Sequence, residues 1–194
     1  MTGLARRLRR AAVPGVPLVA LTLDVVSDGR VARLERTRGA RRHRGAGRWP
    51  MVTLVGSRPA LVALSLTATL VARRRGRPVL EPVVPVLAGT VARAGLMLLV
   101  DRDRPPRERW LAEPTGAAYP SRHATACALG VLALRDALPR SRTVDALAAG
   151  TVAVAGWSRL RLGVHWPSDV AGGVLLAATV HAALGRGLSD PGAG

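Results

Sequence analysis

An arginine, a histidine and an aspartate stand at fixed spacing in the stretch Ser158-Arg159-Leu-Arg-Leu-Gly-Val-His165-Trp-Pro167-Ser-Asp169. There an irregular segment is expected to give way to an apolar helix. Pro167 suits the first helical position, because the N–H it lacks would have no partner there. His165 then falls just ahead of the helix and Asp169 in its first turn. A carboxylate so placed accepts the ring N–H of the histidine and fixes its tautomer. The other ring nitrogen is left free to attack or to take a proton. The helix N-terminus, with unpaired N–H groups and a positive dipole end, favours an anion beside the same histidine. Arg159 adds a planar, always-charged fork suited to phosphate oxygens. Together these residues describe a histidine that handles phosphate.

Two further motifs precede this one. Asp101-Arg102-Asp-Arg104-Pro105-Pro follows directly on an apolar run ending at Val100, and Tyr119-Pro-Ser121-Arg122-His123 opens the next helical stretch. Ser121 is expected as an N-cap, which leaves His123 in the first turn beside unpaired backbone N–H groups. Taken singly, Arg104 reads as an interface anchor at a helix end and His123 as a capping or surface residue. Their order changes that. Each motif sits where a loop meets an apolar helix, and residues 101–122 are separated from 158–168 by two helical stretches. Two stretches return the chain to the same side, so the loops are expected to meet.

The elements that must position these residues read as helices. A basic head at 1–12 carries Arg6, Arg7, Arg9 and Arg10, and an apolar run follows from Val13 to Val26, interrupted by Asp24. That run is read as a retained first membrane helix, with a re-entrant or signal-like segment as alternatives. Arg30 to Arg48, containing His43, is expected to be a solvated or headgroup-facing connector. Met51 to Ala72 is broken at Arg58-Pro59 and closed by the basic run Arg73 to Arg77; Val79 to Val100, His123 to Leu134, Ala146 to Trp157 and Trp166 to Leu184 complete the set. No internal repeat and no alternating strand pattern occurs. The expectation is an all-α, multi-helix membrane bundle of about six helices with an active site built from loops at one end. Residues 1–48 would form a basic N-terminal region, 49–188 the helical core and 189–194 a short tail.

Composition bears on the surroundings of that bundle. Hydrophobic residues make up 48% of 194, the mean hydropathy is +0.20, and aromatics are only 3%. All 29 basic residues are arginine and the formal net charge is +17. A nucleic-acid binder carries such charge on a polar surface with aromatic stacking groups. Here the arginines cluster between apolar segments, as in membrane-protein loops, so nucleic acid is not the expected partner and a bilayer is. No segment reaches the roughly 18 charge-free apolar residues of an unambiguous span. Some helices must therefore tilt or let arginines snorkel, and a soluble Ala/Val/Leu-rich bundle is the alternative. Cys127 stands alone and reads as a small buried thiol, with no intrachain disulfide or cysteine metal site. The lack of Lys, Ile, Asn and Gln is what GC-rich codon usage produces and points to a bacterial source of that kind.

The three ordered motifs resemble those of the type 2 phosphatidic acid phosphatase family, whose pattern is Lys-x6-Arg-Pro, Pro-Ser-Gly-His and Ser-Arg-x5-His-x3-Asp. The likeness spans roughly residues 50 to 185, and the third motif matches at every defined position. The resemblance implies that His165 is a nucleophile forming a phosphohistidine and that Asp169 orients it. It implies that His123 protonates the leaving group and then activates water. Arg104, Arg159 and Ser121 would cradle the phosphate, with no metal or cofactor. The implied substrate is a lipid phosphate in a membrane: phosphatidate, phosphatidylglycerol phosphate or a polyprenyl phosphate or pyrophosphate.

Two positions depart from the pattern. Met97 stands where the family has lysine, and Arg122 where it has glycine. Arg102, on the loop, is the favoured replacement for the missing charge, with Arg93 the other candidate. Arg122 either turns outward or adds a phosphate or headgroup contact. Both departures also fit a second expectation, a catalytically weakened relative that binds anionic lipid.

Overall fold

The computed structural model describes residues 3–38 and 49–185, in which runs of Ala, Val and Leu punctuated by Pro, Gly and Arg fold as helices. Helix α1, Gly3–Val26, takes the basic head and the apolar run into one element and passes through Pro14 and Pro17. Helix α2, Arg30–Arg38, lies where a loop was expected. The reason is local: both oxygens of the Asp24 carboxylate cap the start of α2, accepting the N–H groups of Val31 at 3.3 Å and Ala32 at 3.0 Å. Asp28, at φ 53°, makes the turn between the two helices. The rest of the expected connector, His43 included, lies outside the described residues.

Helix α3, Trp49–Val52, runs into a 3₁₀ turn, Thr53–Gly56. Ser57 then caps helix α4, Arg58–Arg74, accepting the N–H of Ala60 at 3.3 Å, with a proline in the first turn. This is the expected break at Arg58-Pro59. Helices α5, Leu80–Val100, α6, Arg122–Ala137, α7, Arg142–Arg161, and α8, Pro167–Leu184, complete the bundle, and no strand occurs among the described residues. With α1 and α4 these make the six long helices expected. Several boundaries differ, and one of them bears on the site. Helix α7 runs on to Arg161, so Ser158 and Arg159 sit on its last turns rather than in an irregular segment. The Ser158 hydroxyl donates to the carbonyl of Ala155 at 2.7 Å, a bond internal to the helix.

The interior is built from small residues. Helix α6 packs on α4, α5, α7 and α8, and the buried core there comprises Ala68, Val86, Ala128, Leu129, Ala133, Ala137 and Ala177. A Cβ on Gly89 would lie 2.6 Å from Leu129, and one on Gly130 would lie 2.9 Å from Leu64. Many of the larger aliphatics point outward instead: Val91 is 71% exposed and Leu99 83%. Small side chains at the helix contacts and large apolar ones on the outside suit a bundle surrounded by lipid. By length and composition α5 and α8 are able to cross a membrane, and α1 with α2, bent by 61°, forms a third candidate. The antiparallel order brings the C-terminal ends of α5 and α7 and the N-terminal ends of α6 and α8 to one end.

Candidate active site

The N-terminus of α8 fixes the histidine. The backbone N–H of Trp166, just ahead of Pro167, donates to Asp169 Oδ2 at 2.7 Å, so the aspartate folds back over the helix start. The same oxygen lies 3.3 Å from His165 Nδ1. On the other side of the ring, Arg104 Nη1 lies 3.3 Å from His165 Nε2. A guanidinium has no acceptor, so it donates and Nε2 presents its lone pair. The proton therefore sits on Nδ1, facing the carboxylate. His165 is 5% exposed and Asp169 0%. Burial pulls the His165 ring down from its ordinary 6.5 to about 4, with Asp169 opposing through its hydrogen bond and charge, and Arg104 and Arg159 adding to the fall. The imidazole is thus neutral near pH 7, with its free electron pair turned toward a cation.

The loop from α5 to α6 supplies the facing wall. Arg104 is anchored by backbone: Nε donates to Gly116 O at 2.9 Å, Nη2 to Thr115 O and Ala117 O, and Nη1 to Val164 O at 2.7 Å. It ties the loop to the residue before His165. Further along, Ser121 N–H donates to the Asp169 carbonyl at 2.9 Å. That approach needs glycines on α8, because a Cβ at Gly172 would enter the Tyr119 ring and one at Gly173 would lie 2.8 Å from the Ser121 carbonyl. Ser121 occupies the N-cap position of α6, but its hydroxyl caps nothing. Its Oγ is buried and has no hydrogen-bond partner among the described residues. The expected cap is therefore absent.

His123 follows in the first turn of α6, half-buried, with its backbone against Gly56. It lies in the electrostatic reach of Arg159, Arg122, His165 and Arg104. Arg159 comes from the end of α7 with its side chain buried; Nη1 donates to Thr53 Oγ1 at 2.9 Å, while its buried Nε has no partner among the described residues. Two histidines, a fixed guanidinium, a buried unpaired hydroxyl and an unpaired guanidinium N–H thus come from three helix ends and one loop.

Residues 78–189 match the PAP2 superfamily, across more than half of the chain. This chain belongs to that superfamily. The family is the one the three motifs resemble. The fold is similar to the crystal structure of the first transmembrane PAP2 type phosphatidylglycerolphosphate phosphatase from Bacillus subtilis. The TM-score is 0.61 at 21% identity, over 90% of this chain and 88% of that chain. No curated protein matches the chain.

Within this PAP2 chain the two departures resolve differently. Met97 stands over the loop, its sulfur 3.2 Å from where a Cβ on Gly116 would lie. Of the two candidate replacements, Arg93 is on the cationic side: Nε donates to Pro120 O at 3.1 Å, within the fields of Arg122, Arg104 and Arg58. Arg102, the favoured one, faces the other way. Its Nη1 donates to Asp169 Oδ1 and to Ser168 Oγ, each at 2.6 Å, and its Nη2 to Glu35 at 3.0 Å. Two arginines two residues apart in one loop thus serve opposite faces of the histidine. Arg122 is half-buried beside Arg58. Sequence reading passed over Glu35, whose only signal is that it is the lone acid in the arginine-rich stretch Arg30 to Arg38.

Proposed function

We propose that this PAP2 chain is a membrane phosphatase that hydrolyses a lipid phosphate monoester or pyrophosphate through a phosphohistidine at His165. The observation that carries the reading is the setting of the ring: Nδ1 lies 3.3 Å from Asp169 Oδ2 and Nε2 3.3 Å from Arg104 Nη1, which assigns the proton to Nδ1 and the lone pair to Nε2. In the first step Nε2 attacks phosphorus, the bond to the lipid oxygen breaks, and His123 gives that oxygen a proton; burial, Arg159 and Arg122 hold its ring down to about 3, so it takes up that proton together with the anionic phosphate. In the second, water attacks phosphorus, His123 takes a proton from it, and the P–N bond breaks to release phosphate and neutral His165. Arg159, Arg104, Arg122 and the Ser121 hydroxyl are suited to the phosphoryl oxygens, whose charge must be met by donors fixed in advance. A lipid substrate is supported by the outward aliphatic surface and by a site at one end of the helices, at headgroup depth. The structural neighbour is a phosphatidylglycerolphosphate phosphatase, which puts that lipid first among candidates.

The test is a substrate panel. Protein purified in detergent is given phosphatidylglycerolphosphate, phosphatidate and a polyprenyl pyrophosphate, and phosphate release is followed for wild type and His165→Ala. Turnover by wild type and a loss of about a thousandfold or more in the variant are expected. Release that persists in the variant overturns the reading.

One observation favours a second reading. The five N–H groups of Arg104 are all engaged, by carbonyls and by His165, and Met97 leaves no lysine beside them. A weakened site of that kind binds anionic lipid without turning it over, and phosphate release dependent on His165 would dispose of it.

A further inference from the structure

Helix α2 turns almost all of its surface outward. Among residues 30–37 only Ala32 and Glu35 are not exposed, and they lie three apart on one face. Glu35 is therefore the acid that a strongly basic helix sends inward. Its Oε1 accepts the N–H of Ser168 at 2.7 Å, and its Oε2 accepts the Ser168 hydroxyl at 2.6 Å and Arg102 Nη2 at 3.0 Å. The Ser168 N–H is one of the groups a helix start leaves without an internal partner, so a carboxylate from α2 caps α8. The side chains of Glu35 and Arg102 are each 8% exposed. The chain of contacts runs from Glu35 through Arg102 to Asp169, and from Asp169 to His165.

We infer that Glu35 is a positioning residue for His165, acting through Arg102 and Asp169. This rests on the phosphohistidine reading above. The reason is charge. Arg102 and Asp169 alone would cancel, leaving the histidine beside a neutral pair. With Glu35 the cluster carries one net negative charge. When Nε2 bonds to phosphorus the imidazole becomes positive, and that charge is offset only if the cluster behind Nδ1 is negative. The other charged or titratable groups facing the ring are Arg104, Arg159 and His123, none of which is an anion. Glu35 also keeps Arg102 from rotating fully onto Asp169, so Oδ2 stays available to Nδ1–H.

The experiment uses Glu35→Gln, close to Glu in shape and still able to accept the Ser168 N–H, and Glu35→Asp, which keeps the charge on a shorter arm. kcat, KM and the pH profile are measured on the best lipid phosphate of the panel, with the melting temperature in detergent. His165 is titrated by 15N NMR of histidine-labelled protein. For Glu35→Gln, kcat falls roughly tenfold or more, KM changes little, and His165 protonates at lower pH than in wild type. The melting temperature stays close to wild type, and Glu35→Asp recovers part of kcat. A Glu35→Gln protein with wild-type kcat and an unmoved His165 titration overturns the inference, whether or not it melts earlier. If wild type turns over no lipid phosphate, the proposed function fails and the titration alone decides this point: an unmoved titration overturns it.

Discussion

Each end of the bundle holds a histidine paired to a carboxylate and an arginine, and only one end looks able to do chemistry. At the far end His181 Nε2 lies 2.9 Å from Asp136 Oδ2, Arg135 bridges Asp136 and Asp145, and Arg77 forks onto Glu81 and reaches the Asp136 carbonyl. In that cluster Arg77 and Arg135 are met by Glu81, Asp136 and Asp145. The crevice beside it holds about 10 Å³, hardly more than a water centre. At the other end Arg93, Arg104, Arg122 and Arg159 stand close enough to sense one another, while the carboxylates Asp169 and Glu35 are spent on Arg102 and the start of α8. Positive charge there exceeds negative, and Ser121 Oγ and Arg159 Nε are buried with no partner among the described residues. A histidine–carboxylate pair is a common way to satisfy a buried ring; surplus cations beside it are what the proposed phosphate site adds.

The widest separation between the two ends is expected from their histidines. His165→Ala removes the proposed nucleophile and is expected to lower turnover by about a thousandfold or more. His181→Ala removes the ring that Asp136 Oδ2 meets at 2.9 Å and costs about 1–3 kcal/mol of stability, while the turnover of the folded protein is kept. Rate and melting temperature measured on both variants sharpen the contrast if they move separately. A His181→Ala protein that folds and has lost turnover breaks it.

Ser121 gives the next effect in size. Its hydroxyl is buried with no partner among the described residues, an arrangement that costs stability unless a ligand uses it. Ser121→Ala is expected to melt no earlier than wild type, yet to lose about a hundredfold in kcat, the scale of one donor to a developing oxyanion. A melting temperature that drops, with rate unchanged, would make the hydroxyl structural after all.

How far the site was readable in the sequence follows the range of the forces involved. His165, Pro167 and Asp169 were legible because a helix start fixes them locally, through Asp169 folding back onto the Trp166 N–H. The break before α4 was legible because serine and proline act within one turn. Helix α2 was not: it has no apolar periodicity, and it is held by Asp24 from α1 and by Glu35 reaching α8. Nor was the division between Arg102 and Arg104, since which face of the histidine each serves depends on carbonyls at 115–117 and carboxylates on two other helices. Ser121 looked like a cap because caps are serines; its N–H was instead drawn to the Asp169 carbonyl across the helix contact.

That contact is itself open to test. A methyl on Gly173 would meet the Ser121 carbonyl at 2.8 Å and Thr125 Oγ1 at 2.9 Å. Gly173→Ala is therefore expected to cost about 1–3 kcal/mol by overpacking and to lower kcat by displacing Ser121 and His123. Gly150, where an added Cβ would meet nothing, is the control: Gly150→Ala in α7 leaves both quantities in place or raises stability slightly. If the two substitutions behave alike, the α8 glycines do not position the site.

The smallest effect expected is one of pH, and its sign follows from burial. His165 has an ordinary value of 6.5 and about 4 in the folded chain. Unfolded protein therefore gains a proton below 6.5 that folded protein refuses, so this group's contribution is intact above 6.5 and is lost as pH falls toward about 4. The slope is at most about 1.4 kcal/mol per pH unit, and the limb of kcat/KM that reports His165 in the free protein lies near 4 rather than 6.5. Asp169→Asn removes the charge that opposes the fall, so the limb moves lower still while kcat drops. Asp136→Asn at the far end leaves the limb where it is. A limb that stays near 6.5 in wild type, or moves equally in both variants, would mean that the titrating group is not the histidine held between Asp169 and Arg104.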